Sequence, residues 1–208
     1  MKKALLVFGG NNMINNSKLK EMVEVCEIVV AVDHGADHLK NVEIIPDIII
    51  GDFDSALEET IKYFEKCGTE KIVFPIEKDM CDGELAVEII KNRGYEKLFI
   101  VGADGGRVDH MLGNIFLLEK YSGLEIITEN EKIFMLEKSN IIKNLTGKTI
   151  SIISLTDKSC IKSIKGMKYS GEKIILQRGD TRGISNIVEE NIAEIDVEYG
   201  KCIIITQN

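Results

Sequence analysis

Carboxylates gather at a few points along this chain. Asp52 and Asp54 stand two residues apart in PDIIIGDFDSA, residues 46 to 56. Asp33 follows the apolar run IVVAV, and Asp79 and Asp82 follow KIVFP. Asp109 lies with Arg107 and His110 in GADGGRVDH. Carboxylates crowded together with a single guanidinium repel one another, which costs energy or forces protonation. A divalent metal removes that cost. Magnesium takes one or two protein carboxylates, keeps some waters and completes its octahedron with substrate phosphates. Residues i and i+2 of an extended segment face the same way, so Asp52 and Asp54 can converge on one ion. Asp79 and Asp82, three apart at a helix start, can share a side.

Structural roles compete for several of these residues. Ser55 and Glu58 form the S-x-x-E pattern of a capping box, and Asp54 could sit near that helix's positive end. Asp79 or Asp82 could cap the helix of GELAVEII, and Gly105-Gly106 could be a plain turn. Such roles leave Asp52 and one of Asp79 and Asp82 unexplained. The run G-x-x-G-G-R ending at Arg107 also resembles a phosphate loop in kind: exposed N–H groups, a helix start and a guanidinium fork. It is neither a Walker A loop nor GxGxxG. The residues therefore point to a magnesium-dependent enzyme acting on a phosphate ester or anhydride. His34, His38 and His110 share no metal-ligand spacing; His110, beside Asp109, is the best functional candidate of the three.

The elements that must position these groups alternate in the first half. KALLVF, EIVVAVD, DIIIGD, KIVFP, KLFIVGA and LEIIT read as strands. Between them lie helical patterns: one capped by Ser17, a turn over HGADHLK, ALEETIKYFEKC stopped by Gly68, GELAVEIIKNRG and VDHMLGNIFLLEKYSG. That alternation predicts an α/β fold, a mostly parallel sheet with helices on both faces. Ligand sites of such sheets lie beyond the carboxyl ends of the strands, where the acids fall. From EKIFML onward the pattern is short β-branched runs, KTISIISL, EKIILQ, AEIDVEY and KCIIITQ, which predict a small antiparallel β-sandwich. The expected division is residues 1–128, an α/β catalytic domain, and 129–208, the sandwich.

Composition narrows the function classes. The 208 residues are 44% hydrophobic and 29% charged, as in an ordinary globular protein. A net charge of −8 argues against a nucleic-acid binder and suits a small, cationic or metal-complexed ligand. Five scattered cysteines without a CxxC pair make neither a disulfide framework nor a zinc site. The apolar stretch near the start, Ala4 to Phe8, is too short for a signal-peptide core. No run approaches the roughly 20 apolar residues of a membrane span. A cytoplasmic protein that engages no membrane is expected.

Taken in order, VDHGADHL, PDIIIGDFDS, EKDMCDGELAV, GADGGRVDHMLGN and RGISNIVEE resemble the thiamin pyrophosphokinases. The likeness runs from Ala31 to the C-terminus, and GDFDS, GGRxDH and RGISN together make it specific. The resemblance implies transfer of a diphosphoryl group from ATP to thiamine, giving thiamine diphosphate and AMP, with magnesium required. It implies a Rossmann-like α/β domain joined to a β-sandwich, and a homodimer with the active site at the subunit interface. By that likeness Asp52, Asp54 and Asp82 correspond to magnesium ligands, and Asp33 and Asp79 to acidic active-site positions. Arg107 and Asp109 fall at the nucleotide and reaction site, with Asp79 or Asp109 as candidate base. Tyr169, Ser185 and Asn186 fall on the thiamine side, in the sandwich. The family's usual D-x-T-D reads here Asp79-Met80-Cys81-Asp82, so a threonine hydroxyl is lost. The chain has no Trp, leaving Tyr169 or another residue for stacking. The rival readings are a metal-dependent nucleotide phosphohydrolase and a non-catalytic nucleotide or small-ligand sensor.

Overall fold

A computed structural model describes residues 1–77, 79–136 and 138–207. The chain divides into two compact units, Met1–Glu129 and Asn130–Asn208. The first runs β1 (Lys3–Val7), α1 (Asn16–Val25), β2 (Ile28–Val32), α2 (Gly35–Asn41), β3 (Ile48–Gly51), α3 (Glu58–Lys66), β4 (Glu70–Val73), α4 (Asp82–Asn92), β5 (Lys97–Val101), α5 (Val108–Lys120) and β6 (Leu124–Ile127). Its strands pair in parallel in the order β6-β5-β1-β2-β3-β4.

Period-two alternation divides the core of this unit. Leu5, Val7, Val29, Ala31 and Ile49 pack with Leu19 of α1, Ala36 and Leu39 of α2, and Ile61 and Phe64 of α3. The intervening Leu6, Val30 and Ile50 are equally buried and point to the other face, where α4 brings Ala86, Val87 and Ile90. Helix α3, EETIKYFEK, ends as expected: Gly68, with φ +88°, takes the left-handed position just past Cys67.

Two caps differ from the sequence expectation. Asn15, not Ser17, caps α1: its side chain accepts the Lys18 N–H at 3.0 Å. Asn15 is also gripped by Glu129, which accepts its backbone N–H at 2.8 Å and its side-chain amide at 2.9 Å. Asn15→Ala is therefore expected to cost about 1 kcal/mol in urea unfolding, and Ser17→Ala less than about 0.5 kcal/mol. Equal losses would contradict this assignment. Ser55 does not cap α3 either. The helix starts at Glu58, the Leu57 N–H is taken by the Asp37 carboxylate at 3.1 Å, and the Ser55 hydroxyl donates to Asp33. Nor do Asp79 or Asp82 cap α4: Cys81 holds that position without a side-chain bond, and Asp82 opens the helix.

The second unit contains β7 (Glu131–Leu136), β8 (Asn140–Lys143), β9 (Thr149–Ser154), β10 (Lys158–Lys165), β11 (Gly171–Gln177), β12 (Asn186–Ile187), β13 (Ile192–Tyr199) and β14 (Cys202–Gln207). No helix follows α5 among the described residues. Strands β12, β9, β14 and β7 pair antiparallel in that order, and β11, β10, β13 and β8 form a second antiparallel sheet. Phe134, Ile150, Ile152 and Ile204 from the first group share one core with Ile161, Ile164, Ile195 and Val197 from the second. The two layers thus make the expected sandwich. Strand β10 escapes a hydropathy reading because its sequence KSCIKSIK buries a serine: Ser159 is enclosed, with its hydroxyl 2.7 Å from that of Ser154. Among the described residues no helix is long and apolar enough to cross a membrane.

Candidate active site

Strand β1 lies between β2 and β5, and the chain leaves it in one direction through β2, β3 and β4 before returning to β5. That reversal opens a crevice beyond the carboxyl ends of β1 and β5, where open α/β sheets bind ligands. A cleft of about 270 Å³ occupies it. Gly9-Gly10 after β1 and the loop from Gly102 to Arg107 after β5 line one part; Asp33, Ser55 and Asp82 line another. The two loops are joined: the Gly10 N–H donates to the Gly102 carbonyl at 2.8 Å, and the Asn12 amide to Asp104 at 3.1 Å. Buried Asn114 of α5 donates to the Ala103 carbonyl at 2.9 Å and fixes the same loop from below. Gly9, Asp104 and Asn114 were not picked out as functional from the sequence. Their signal was present, in a Gly-Gly pair directly after the first buried strand and in the LGN closing the GADGG segment.

On the acidic side, Asp33, Asp52 and Asp54 each bring a carboxylate oxygen within 4.8 Å of the others. Their convergence does not come from an extended segment. Phe53 has φ +59°, and the Asp54 N–H donates to Asp52 Oδ1 at 3.2 Å, so the segment is a tight turn. Asp33 at the end of β2 is also left-handed, φ +50°. Asp82, at the start of α4, lies in the cleft lining and close enough to raise the Asp33 pKa. The close trio therefore has Asp33 beside Asp52 and Asp54, where the sequence had grouped Asp82 with them.

Burial, followed by the charges of Asp82, Asp54 and Asp52, pushes the Asp33 carboxyl above the usual carboxylate range, and the Ser55 hydroxyl partly offsets this. Asp33 Oδ1 is buried and has no hydrogen-bond partner among the described residues. Several carboxylates, one with an orphaned oxygen, fit a small hard divalent cation. A group whose pKa is raised on folding contributes stability at pH values below its ordinary pKa and loses it as pH rises through the raised one. Once ionised, Asp33 is thus a liability to the metal-free protein. Asn relieves that charge and also tolerates the left-handed backbone. Asp33→Asn is expected to raise the melting temperature in chelator at pH 7 by roughly 2 °C; a fall would contradict the like-charge account.

The cleft lining also carries nitrogen. Arg107 stands before α5 and forks onto Asp109, with bonds of 3.1 and 2.5 Å. That guanidinium holds the Asp109 carboxyl below its usual range, and both side chains are exposed. His110 also lines the cleft. His34, given little weight from the sequence, lines it too, and its Nδ1 lies 2.9 Å from the Asp37 carboxylate. Asp79 is exposed in the segment ahead of α4 and is not among the lining residues described.

The second unit has its own cavity, about 580 Å³, lined by Tyr169, Arg182, Ile184 and Asn186 among others. Asn186 is buried, and its amide clasps the Tyr169 backbone, accepting the N–H at 2.9 Å and donating to the carbonyl at 3.1 Å. It positions Tyr169, whose side chain stays exposed with Lys168 near its ring. Ser185 has φ +62°, and its N–H donates to the Ser151 hydroxyl at 3.1 Å.

Comparison with known proteins agrees with these features. Residues 19–129 match the family model for the catalytic domain of thiamin pyrophosphokinase, and residues 138–202 that for its vitamin B1 binding domain. Thiamine pyrophosphokinase from Bacillus subtilis is 32% identical over 198 residues, covering 89% of each chain. Thiamine pyrophosphokinase 1 from Oryza sativa is 29% identical over 163 residues, covering 72% of this chain and 62% of the rice protein. The crystal structure of the Bacillus subtilis enzyme superposes with a TM-score of 0.87 at 27% identity, covering 100% of this chain and 99% of that one. With a catalytic-domain model spanning more than half of its residues, the chain belongs to the thiamin pyrophosphokinase family.

Proposed function

We infer that this protein is a thiamine diphosphokinase, a transferase that moves the diphosphoryl group of ATP to the hydroxyl of thiamine and releases AMP. The observation that carries the inference is the convergence of Asp33, Asp52 and Asp54, with Asp33 and Arg107 both lining one cleft. Asp33, Asp52 and Asp54, together with Asp82, would hold magnesium, which when bound neutralises polyphosphate charge and polarises the reacting phosphorus. In the transfer, the hydroxyl oxygen of thiamine bonds to the β-phosphorus. The bond from that phosphorus to the α-bridging oxygen breaks, and AMP leaves with the oxygen.

The residues act mainly by positioning and by electrostatic stabilisation. Arg107 meets charge on the phosphoryl oxygens. Asp109, kept anionic by Arg107, orients the guanidinium and makes a poor base. Of the two candidate bases this leaves Asp79, exposed ahead of α4 and outside the cleft lining described, to take the hydroxyl proton. Tyr169, steadied by Asn186, is our candidate for stacking on thiamine, with Ser185 next to Asn186 in the chain. A homodimer is favoured by an unpartnered apolar stripe on α5, where Val108, Met111, Leu112 and Phe116 are exposed at helical spacing. A monomeric mass at active concentrations would remove that proposal.

The functional test is to incubate the protein with ATP and magnesium, with and without thiamine, and to resolve the nucleotides. AMP is expected only with thiamine. Formation of ADP, or nucleotide breakdown indifferent to thiamine, would favour the phosphohydrolase instead.

A further inference from the structure

The left-handed backbone at Phe53 calls for a physical cause. A bulky residue with φ +59° is a genuine outlier, held only where its surroundings over-determine it. Glycine or asparagine would take this conformation at less cost. What phenylalanine adds is a ring. That ring packs against the first unit's core, in the company of Ala56 and Ile61. Lys71 also lies over the ring, its Nζ 5.5 Å from the centroid, and Lys71 is itself held by Glu65 at 2.8 Å. The ring is thus held by the core and by a fixed cation while its backbone turns the chain. The carboxylates flanking it meet each other and Asp33.

We propose that Phe53 is a positioning residue for the cation site: its anchored ring holds the Asp52–Asp54 turn in the form that brings the carboxylates together. The proposal rests on the magnesium assignment above. It assigns a separate task to a residue that offers no ligand atom. Mutually repelling acids favour spreading apart, and a turn without an anchor would let Asp52 and Asp54 do so. Pre-organising the turn removes that reorganisation from the binding step.

Manganese binding to the chelator-stripped protein, followed by electron paramagnetic resonance well below the melting temperature, tests this without any turnover. The parent is expected to bind Mn2+, and Phe53→Tyr, which keeps the ring, to bind within about twofold of it. Phe53→Gly relieves the backbone but loses the anchor, and its dissociation constant is expected to rise about tenfold. Phe53→Leu, a milder change that secures the test should the glycine variant not fold, is expected to fall between them. Leu19→Ala, in the buried face of α1 away from the acids, lowers the melting temperature and should leave Mn2+ affinity unchanged. Parent-like affinity in Phe53→Gly or Phe53→Leu would overturn the proposal, as would equal weakening in Leu19→Ala. A parent that binds no Mn2+ would remove the magnesium assignment itself, and this proposal with it.

Discussion

Asp54→Asn is expected to lower turnover by at least about a hundredfold at saturating ATP and thiamine, with the melting temperature of the metal-free protein unchanged or slightly raised. Asp54 is exposed and its carboxylate supports no strand or helix, so the fold has little to lose. Its N–H, which closes the turn onto Asp52, is untouched by the substitution. What is lost is one negative oxygen of three that converge. Asparagine keeps the size and offers a neutral carbonyl in its place, so a defect is one of charge and not of shape. Raising magnesium should recover part of the rate. Steady-state kinetics across a magnesium series, with circular dichroism on the same samples, checks both halves. Near-parent turnover would remove Asp54 from the cation's shell.

Gly35→Ala is expected to destabilise the protein by about 3 kcal/mol or more in urea unfolding. Gly35 opens α2 directly above β1, and a Cβ there would meet the Val7 carbonyl oxygen at 1.9 Å and its carbon at 2.7 Å. Both atoms are backbone in the middle of a parallel sheet, so no side chain can swing aside. Relief requires α2 to lift from the strand. That motion would pull on Asp37, which is 4% exposed and ties both Leu57 and His34 into place. Lost stability should therefore come with lost turnover among the molecules that remain folded. A change under about 1 kcal/mol would mean that α2 is held less closely than its contacts imply.

Much of the site was legible because acids that end buried apolar strands stand out in sequence. Asp33, Asp52 and the Arg107–Asp109 pair follow such runs, and a parallel sheet delivers all its strand ends to one edge. Backbone conformation was not legible. Nothing in GDFDS announces a left-handed Phe53, so the sequence suggests an extended segment and a capping Ser55, whereas the turn carries that hydroxyl to Asp33. Long-range partners were hidden for the same reason. Asn15 outcompetes Ser17 as a cap partly because Glu129, at the far end of the unit, grips it. The Asp37–His34 pair depends on a helix register that local patterns do not reveal. In the second unit, β10 was missed because its buried hydroxyls satisfy one another in the core, where hydropathy expects apolar side chains.

The central claim is that the two terminal phosphoryl groups of ATP leave together for thiamine. ATP labelled with radioactive phosphorus at the β position tests it most directly. With thiamine and magnesium present, the label should appear in thiamine diphosphate in step with unlabelled AMP. Label recovered in ADP, or in free diphosphate released at the same rate without thiamine, would contradict the account.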